Sequence, residues 1–195
     1  LLGTWLPMQS FGMVYAPAGA GKSWFVMALA VAIAQGAERV LGWTINKQVP
    51  VLYVDGEMTL ADIKDRFQKL SPRGLENVYV LPSEGLFSDG CPLSLEKHED
   101  QEAFEDLLYL LAEEGHRPQL IILDNLSSLR NSVNENDNSE QEIYNEVSNL
   151  LELFESNDLF VKLFLSPLLS SKSQLKLVSN LFSNTDKKKI KVSKN

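Results

Sequence analysis

The sequence of 195 residues contains a single cysteine, Cys91, and two histidines, His98 and His116. One cysteine cannot form a disulfide within the chain, and so low a cysteine content is typical of reducing compartments. We therefore expect a cytoplasmic protein. The cysteine and the two histidines also lack metal-ligand spacing, which argues against a Cys/His zinc site.

Long hydrophobic runs are also missing from the sequence. The longest, Trp24–Ala34, has 11 residues, whereas a membrane-spanning helix needs about 20. We therefore expect no membrane partner and interpret this run as a buried helix.

Positive charge is scarce, with 18 Lys and Arg against 26 Asp and Glu and a net charge of −8 at pH 7. This balance argues against a broad DNA-binding face on an isolated monomer. Residues 186–195 reverse it with five lysines against one aspartate. Such a tail can hold nucleic acid or an anionic surface, although most short lysine tails are solvated and disordered.

Strand-like and helix-like segments alternate along the chain. Strands are predicted at 11–15, 50–54, 77–81, 119–123 and 159–165, and helices at 22–35, 59–70, 99–114 and 139–156. This alternation predicts an α/β fold, a mostly parallel sheet with helices on both faces. We expect the core to occupy residues 1–166 and the Ser/Lys/Asn-rich segment 167–195 to be a diverged or disordered tail.

A loop of small residues, Ala16–Ser23, connects the first predicted strand to the first predicted helix. This is the context of a P-loop, in which successive backbone N–H groups cradle the phosphates of a nucleoside triphosphate. The Lys22 ammonium would reach the terminal phosphates, and the Ser23 hydroxyl would ligate magnesium. Ala16 replaces the first glycine of the strict pattern, which is tolerable if its φ is negative. The predicted nucleotide contacts are Ala16, Pro17, Ala18, Gly19, Ala20, Gly21, Lys22, Ser23 and Trp24.

Three acidic residues follow buried strands, where phosphate sites lie in parallel sheets. Asp124 fits a Walker B carboxylate that holds magnesium with Ser23 or through water, unless it only caps the next turn. Glu57 is the candidate for orienting the attacking water, and with Lys22 it forms the predicted catalytic pair. Asp55 is a third predicted magnesium-site residue. It would tune the site or bind groups that themselves contact the ion. The alternative is that Asp55 and Glu57 are solvated in a turn.

Four segments carry a resemblance to a known family: the P-loop, Leu41-Gly42-Trp43, Val51–Met58 and Leu120–Leu129. Together they resemble the RepA-like branch of the RecA-type P-loop ATPases over about residues 1–157. That branch includes hexameric replicative helicases of plasmids and related ATPases of phages and integrated elements. The resemblance implies a RecA-like core, ATP and Mg²⁺ as ligands, and Glu57 as the catalytic glutamate. It also implies a homo-oligomeric ring with ATP between neighbouring subunits and single-stranded DNA as a partner.

The carboxyl-terminal part departs from that branch, which usually has a His or Gln sensor where Ser166 stands. Lys172 and Lys176 have no spacing that identifies them as cationic fingers. We therefore keep two hypotheses. The first is an ATP-hydrolysing motor subunit, a DNA helicase or replication ATPase, based on the P-loop, Glu57, Asp124 and the turn at 125–128. The second is a nucleotide-binding regulatory module with little turnover.

A small-molecule kinase is a third alternative and ranks last. Such enzymes usually carry an arginine-bearing lid, and residues 125–160 contain a single arginine, Arg130.

Overall fold

The computed structural model describes residues 1–4, 6–8, 10–82, 94, 97–125, 128–129, 161–167 and 190–191. The strands are β1 (Ser10–Ala16), β2 (Arg39–Val40), β3 (Trp43–Thr44), β4 (Val51–Asp55), β5 (Val78–Pro82), β6 (Leu120–Asp124), β7 (Val161–Pro167) and β8 (Ile190–Lys191). The helices are α1 (Lys22–Ala34), α2 (Leu60–Leu70) and α3 (His98–Glu113).

Six of these strands form one sheet in the order β5-β4-β6-β7-β1-β8, and every pairing in it is parallel. The predicted α/β fold is therefore confirmed. In the centre of the sheet, Val51 pairs with Leu120 and Asp55 with Asp124. The carboxyl ends of β4 and β6 consequently lie side by side, which brings the acidic residues that follow the two apolar runs to one edge.

All five residues of β4 and all five of β6 are buried. Tyr53 and Ile122 belong to the same core cluster as α1, whereas their sequence neighbours Val54 and Leu123 are buried outside that cluster. Because successive strand side chains point to opposite faces, both faces of these two strands are covered. This explains why both strands appear in the sequence as continuous apolar runs instead of alternating patterns.

Helix α1 is apolar on nearly all sides and lies in the core, with seven buried residues between Val26 and Ala34. It ends where Gly36 adopts a φ of 69°. A side chain at Gly36 would also meet Gln48 Oε1 at 2.7 Å. Glycine therefore suits this position for two reasons: the backbone is left-handed, and a side chain would approach Gln48 too closely.

Helix α2 follows the β4 turn and begins where the sequence predicted. The Thr59 side chain caps it by accepting a hydrogen bond from the Asp62 backbone N–H at 3.2 Å. Ile63 and Phe67, one turn apart, are its buried residues. In α3 the buried pair has the same spacing, Phe104 and Leu108. Both helices thus use a narrow apolar stripe, in contrast to α1.

The sequence analysis missed the hairpin of β2 and β3, whose strands have two residues each. Two residues are too few to show periodicity. The turn between them is Leu41-Gly42, both at positive φ (48° and 91°). The hairpin supports the start of the chain, since Gly3 N–H donates to the Thr44 carbonyl at 2.8 Å.

The other predicted elements agree with the structure to within one or two residues where it describes them. The predicted helix at 139–156 lies outside the described residues. The last predicted strand, 159–165, corresponds to β7. Strand β8, which was not predicted, pairs Ile190 with Val14 inside the segment predicted to be a tail. The rest of 168–195 is outside the described residues, so the domain boundary at 166 stays a prediction. No helix in the described ranges is long and apolar enough to cross a membrane.

Candidate nucleotide-binding site

The loop after β1 has the backbone that a P-loop requires. Ala16 is the last residue of β1 and is 1% exposed. Among the described residues other than glycine, the positive φ values belong to Leu41 and Asn77. Ala16 therefore needs no left-handed backbone, and alanine replaces the first glycine without strain.

Gly19 and Gly21 provide the two left-handed positions of the loop, with φ values of 71° and 86°. A Cβ built on either glycine meets no atom within 4 Å, so the loop surface is open at both positions. Gly21 is also the residue before the first turn of α1, with no side-chain cap. The first N–H groups of α1 are therefore available to an anion, as a phosphate cradle requires.

The Lys22 ammonium folds back over this loop. It donates to the Ala16 carbonyl at 2.8 Å and to the Pro17 carbonyl at 3.3 Å. Residues 17–19 and 21 are exposed, and Ala20 is half-buried. Residues 17–21 thus form an accessible loop, and the Lys22 ammonium lies over it.

Asp124 lies beneath the P-loop and is 3% exposed. The Ser23 hydroxyl and the Lys22 charge both act on its carboxyl group. Burial raises the pKa of the Asp124 carboxyl, although hydrogen bonds from Tyr53 and Ser23 oppose this shift. The two residues predicted to hold magnesium, Ser23 and Asp124, therefore lie close to each other although they are far apart in sequence.

Asp55 is buried, with 1% exposure, so the solvated-turn alternative does not describe it. Its Oδ1 accepts hydrogen bonds from the backbone N–H groups of Glu57 at 2.9 Å and Met58 at 2.6 Å. Burial raises the pKa of Asp55 to about 6, while these backbone hydrogen bonds oppose the shift. Asp55 therefore braces the turn that carries Glu57, and its predicted role around magnesium stays a prediction.

Glu57 is exposed at the edge of the site and is held by an amide. Its Oε2 accepts a hydrogen bond from Asn125 Nδ2 at 2.7 Å. Asn125 Oδ1 in turn accepts from the backbone N–H and from the hydroxyl of Ser128, each at 2.9 Å. The sequence analysis singled out the turn at 125–128 but not this contact, which joins residues 68 positions apart. The bond preceding Asn125 is a cis peptide.

Gly56, between the two acidic residues, is required by a close approach. A Cβ there would lie 2.9 Å from Leu129 Cδ2 and 3.0 Å from Ser128 Cβ. The Gly56 N–H also donates to the Asp124 carbonyl at 2.8 Å. The Glu57 turn is therefore packed directly against the turn that follows β6.

Tyr53 is the functional residue that the sequence analysis passed over. It is fully buried, and its hydroxyl lies 2.5 Å from Asp124 Oδ2 and 3.3 Å from Asp55 Oδ2. Its ring packs edge-on against Phe67, with ring centroids 5.4 Å apart. The available signal was a tyrosine inside a wholly buried strand, since a buried phenol hydroxyl usually finds a partner.

Trp24, the last predicted nucleotide contact, is 38% exposed. The Arg66 guanidinium carbon lies 5.5 Å from the centre of its ring. This cation–π contact packs α1 against α2 beside the P-loop. A contact between Trp24 and nucleotide stays a prediction.

No group of three or more His, Cys, Asp or Glu side chains in the described ranges could hold a metal ion. Magnesium sites of nucleotide enzymes rarely need one, because the ion uses one or two carboxylates together with phosphate oxygens. A hydroxyl and a carboxylate, Ser23 and Asp124, are hard oxygen donors of that kind. The residues present therefore fit a magnesium ion that arrives with a nucleotide.

A parallel α/β sheet with a P-loop after β1 and a buried aspartate at the end of β6 is the arrangement of a RecA-like P-loop ATPase domain. The chain matches the family described as AAA domain over residues 1–158, and it belongs to that family. It is accordingly a member of a nucleotide-binding ATPase family. No curated protein matches the chain. A similar solved structure is the flagellar accessory protein FlaH from Methanocaldococcus jannaschii, 15% identical, with a TM-score of 0.49; the match covers 90% of this chain and 69% of FlaH.

Proposed function

We propose that this chain binds ATP with Mg²⁺ and hydrolyses the terminal phosphate bond. The P-loop N–H groups would hold the phosphates and Lys22 would neutralise charge on them. Ser23 and Asp124 would hold magnesium, whose chemistry when bound is to neutralise charge that develops on the phosphate oxygens. The open loop at Gly19 and Gly21 supports the binding part of this proposal.

The donor set around Asp124 supports the magnesium part of the proposal. A serine hydroxyl has one proton and two lone pairs, so Ser23 can donate to Asp124 and still ligate a cation through oxygen. The raised pKa of Asp124 has burial as its main cause, and a bound cation favours the charged carboxylate. Because the ion would be shared between these side chains and the phosphate oxygens, we expect magnesium and nucleotide to bind cooperatively.

The observation that carries the hydrolytic part is the 2.7 Å hydrogen bond between Glu57 Oε2 and Asn125 Nδ2. A carboxylate held by an amide on the neighbouring strand end has one fixed oxygen, and its other oxygen can accept a proton from water. Asp55 fixes the backbone of the same residue through the Glu57 N–H. Glu57 is thus preorganised to orient or activate the attacking water.

We further propose that the chain works as a subunit of a ring-shaped, homo-oligomeric DNA motor, a helicase or replication ATPase. The resemblance of the segments Val51–Met58 and Leu120–Leu129 to the RepA-like branch supports this finer assignment. Single-stranded DNA is then the expected partner, although the acidic net charge of −8 disfavours a broad DNA-binding face on one subunit. Ring assembly would gather the basic residues of several subunits around one strand.

Steady-state ATP hydrolysis with Mg²⁺, measured with and without single-stranded DNA, tests this proposal. We expect Lys22→Ala and Glu57→Gln each to lower turnover at least about 100-fold, the scale for removing a general base or a charge-stabilising group. The matched controls are Lys64→Ala and Glu76→Gln, both at exposed positions outside the site. Both controls should retain wild-type turnover.

The outcomes separate the parts of the proposal. Stimulation by DNA that Lys22→Ala abolishes supports the motor. An ATP hydrolysis rate that is the same with and without DNA contradicts the DNA-motor proposal but leaves the ATPase assignment intact. Tight nucleotide binding without turnover contradicts hydrolysis and favours the regulatory module. A wild-type hydrolysis rate in Glu57→Gln shows that another group orients or activates the attacking water.

A further inference from the structure

A single buried hydroxyl connects the two halves of the site. Tyr53 sits in the middle of β4, with its hydroxyl 2.5 Å from Asp124 Oδ2 and 3.3 Å from Asp55 Oδ2. All three side chains are at most 3% exposed. Water therefore has little access to these groups, and the phenol is a main source of hydrogen bonding to the carboxylates.

The two distances indicate where the one phenol proton goes. A hydroxyl has one proton to donate, and 2.5 Å is the length of a charge-assisted O–H···O bond whereas 3.3 Å is a weak contact. Asp55 already accepts two backbone N–H groups on Oδ1. Besides Tyr53, the Ser23 hydroxyl is the side chain among the described residues that acts as a hydrogen-bond donor toward Asp124. The phenol is therefore committed mainly to Asp124.

We propose that Tyr53 is a positioning residue that fixes the Asp124 carboxylate for the magnesium ion. The same hydroxyl makes only a weak contact with Asp55 Oδ2 at 3.3 Å, and the other oxygen of Asp55 holds the Glu57 N–H at 2.9 Å. This inference rests on the proposed function, since it assigns Tyr53 a role toward the metal expected there. Residues that orient metal ligands typically change metal affinity or activity 10–100-fold when replaced.

Tyr53→Phe is the direct variant because it removes the hydroxyl and keeps the ring that packs on Phe67. ADP binding is measured by calorimetry in EDTA and in Mg²⁺, and the ratio of the two affinities gives the gain due to magnesium. We expect Tyr53→Phe to reduce this gain about tenfold or more and to leave affinity in EDTA unchanged. The matched control is Tyr79→Phe on the adjacent strand, whose hydroxyl contacts exposed His116 at 2.9 Å. It should retain the full gain.

Three outcomes of this experiment overturn the inference in different ways. An unchanged magnesium gain in Tyr53→Phe overturns the inference alone, and the proposed function stands. An equal loss of affinity with and without magnesium shows a merely structural role and overturns it as well. A wild-type protein that binds no nucleotide contradicts the proposed function and this inference together.

A measurement on the wild-type protein covers the case in which Tyr53→Phe does not fold. The ring carbon that bears the hydroxyl is isotope-labelled in all tyrosines and followed by NMR. The Tyr53 signal should shift when Mg²⁺ is added to the ADP complex, and it should not shift when ADP is added in EDTA. A signal indifferent to Mg²⁺ overturns the inference. The signal is assigned by elimination, with single Phe replacements of Tyr15, Tyr79, Tyr109 and Tyr144.

Discussion

Replacing Gly56 by alanine should destabilise the protein through one close contact. The new Cβ would lie 2.9 Å from Leu129 Cδ2 and 3.0 Å from both Leu129 Cγ and Ser128 Cβ. Carbon atoms pack best at about 3.5–4.0 Å, so one side must move by about 0.5–1 Å. Leu129 is fully buried, which leaves its side chain little room to retreat.

The magnitude follows from two opposing effects of the Gly56→Ala change. Overpacking a filled site costs about 1–3 kcal/mol. Alanine restricts the unfolded chain and returns about 0.4–1 kcal/mol. The net loss should be on the order of 1–2 kcal/mol, which lowers the melting temperature by roughly 2–8 °C for a domain of this size.

The same displacement should reach the catalytic side of the site. Ser128 donates from its N–H and its hydroxyl to Asn125, each at 2.9 Å, and Asn125 holds Glu57. Pushing Ser128 away from Gly56 therefore disturbs the Glu57 carboxylate, which we propose orients the attacking water. We expect turnover in Gly56→Ala to fall more than nucleotide affinity does.

Urea and thermal unfolding of Gly56→Ala, Leu129→Ala and the double variant measure this contact. Shortening Leu129 removes part of the collision, so the two changes should be non-additive by at least about 0.5 kcal/mol. A Gly56→Ala protein with wild-type stability would refute the close approach. Strictly additive energies would show that the cost arises elsewhere.

Two further predictions concern the side chains around the Glu57 turn. Asn125→Ala removes the donor to Glu57 Oε2 and should lower turnover about tenfold or more with little change in ADP affinity; equal losses in both would contradict a role in orienting Glu57. The second concerns Asp55, whose pKa of about 6 exceeds its ordinary 3.8, so the folded protein retains a proton that the unfolded chain releases. In EDTA, wild-type stability relative to Asp55→Asn should therefore fall as pH rises from about 4 to 7. The loss should be on the order of 2 kcal/mol after solvent screening. The free energy of unfolding in urea is measured against pH for both proteins, and an identical pH dependence for wild type and Asp55→Asn would contradict this.

Local patterns in the sequence were enough for the elements that carry the site. The apolar runs before Asp55 and Asp124 identified β4 and β6, and the helix predicted at 59–70 matches α2 to within one residue. The small-residue loop at Ala16–Ser23 identified the connection from β1 to α1. These features are encoded within a few neighbouring residues, which is why one sequence sufficed for them.

The contacts between those elements could not be predicted in the same way. The bond from Asn125 to Glu57 depends on the register of β4 against β6, which no local pattern specifies. The same register brings the Tyr53 hydroxyl to Asp124. The β2–β3 hairpin escaped for a different reason, because two-residue strands carry no periodic signal. Sequence reasoning thus located the groups but not the network that holds them.

The pairing of Asp55 with Asp124 has a consequence for how this chain can change during evolution. Side chains alternate between the faces of a strand, so inserting or deleting one residue within 51–55 would turn Tyr53 away from Asp124. The same change would move Asp55 out of its pairing with Asp124. A single replacement in these strands alters one contact, whereas a change in length would disconnect the site at once. Length variation should therefore accumulate in the connections of the fold and be absent from β4 and β6.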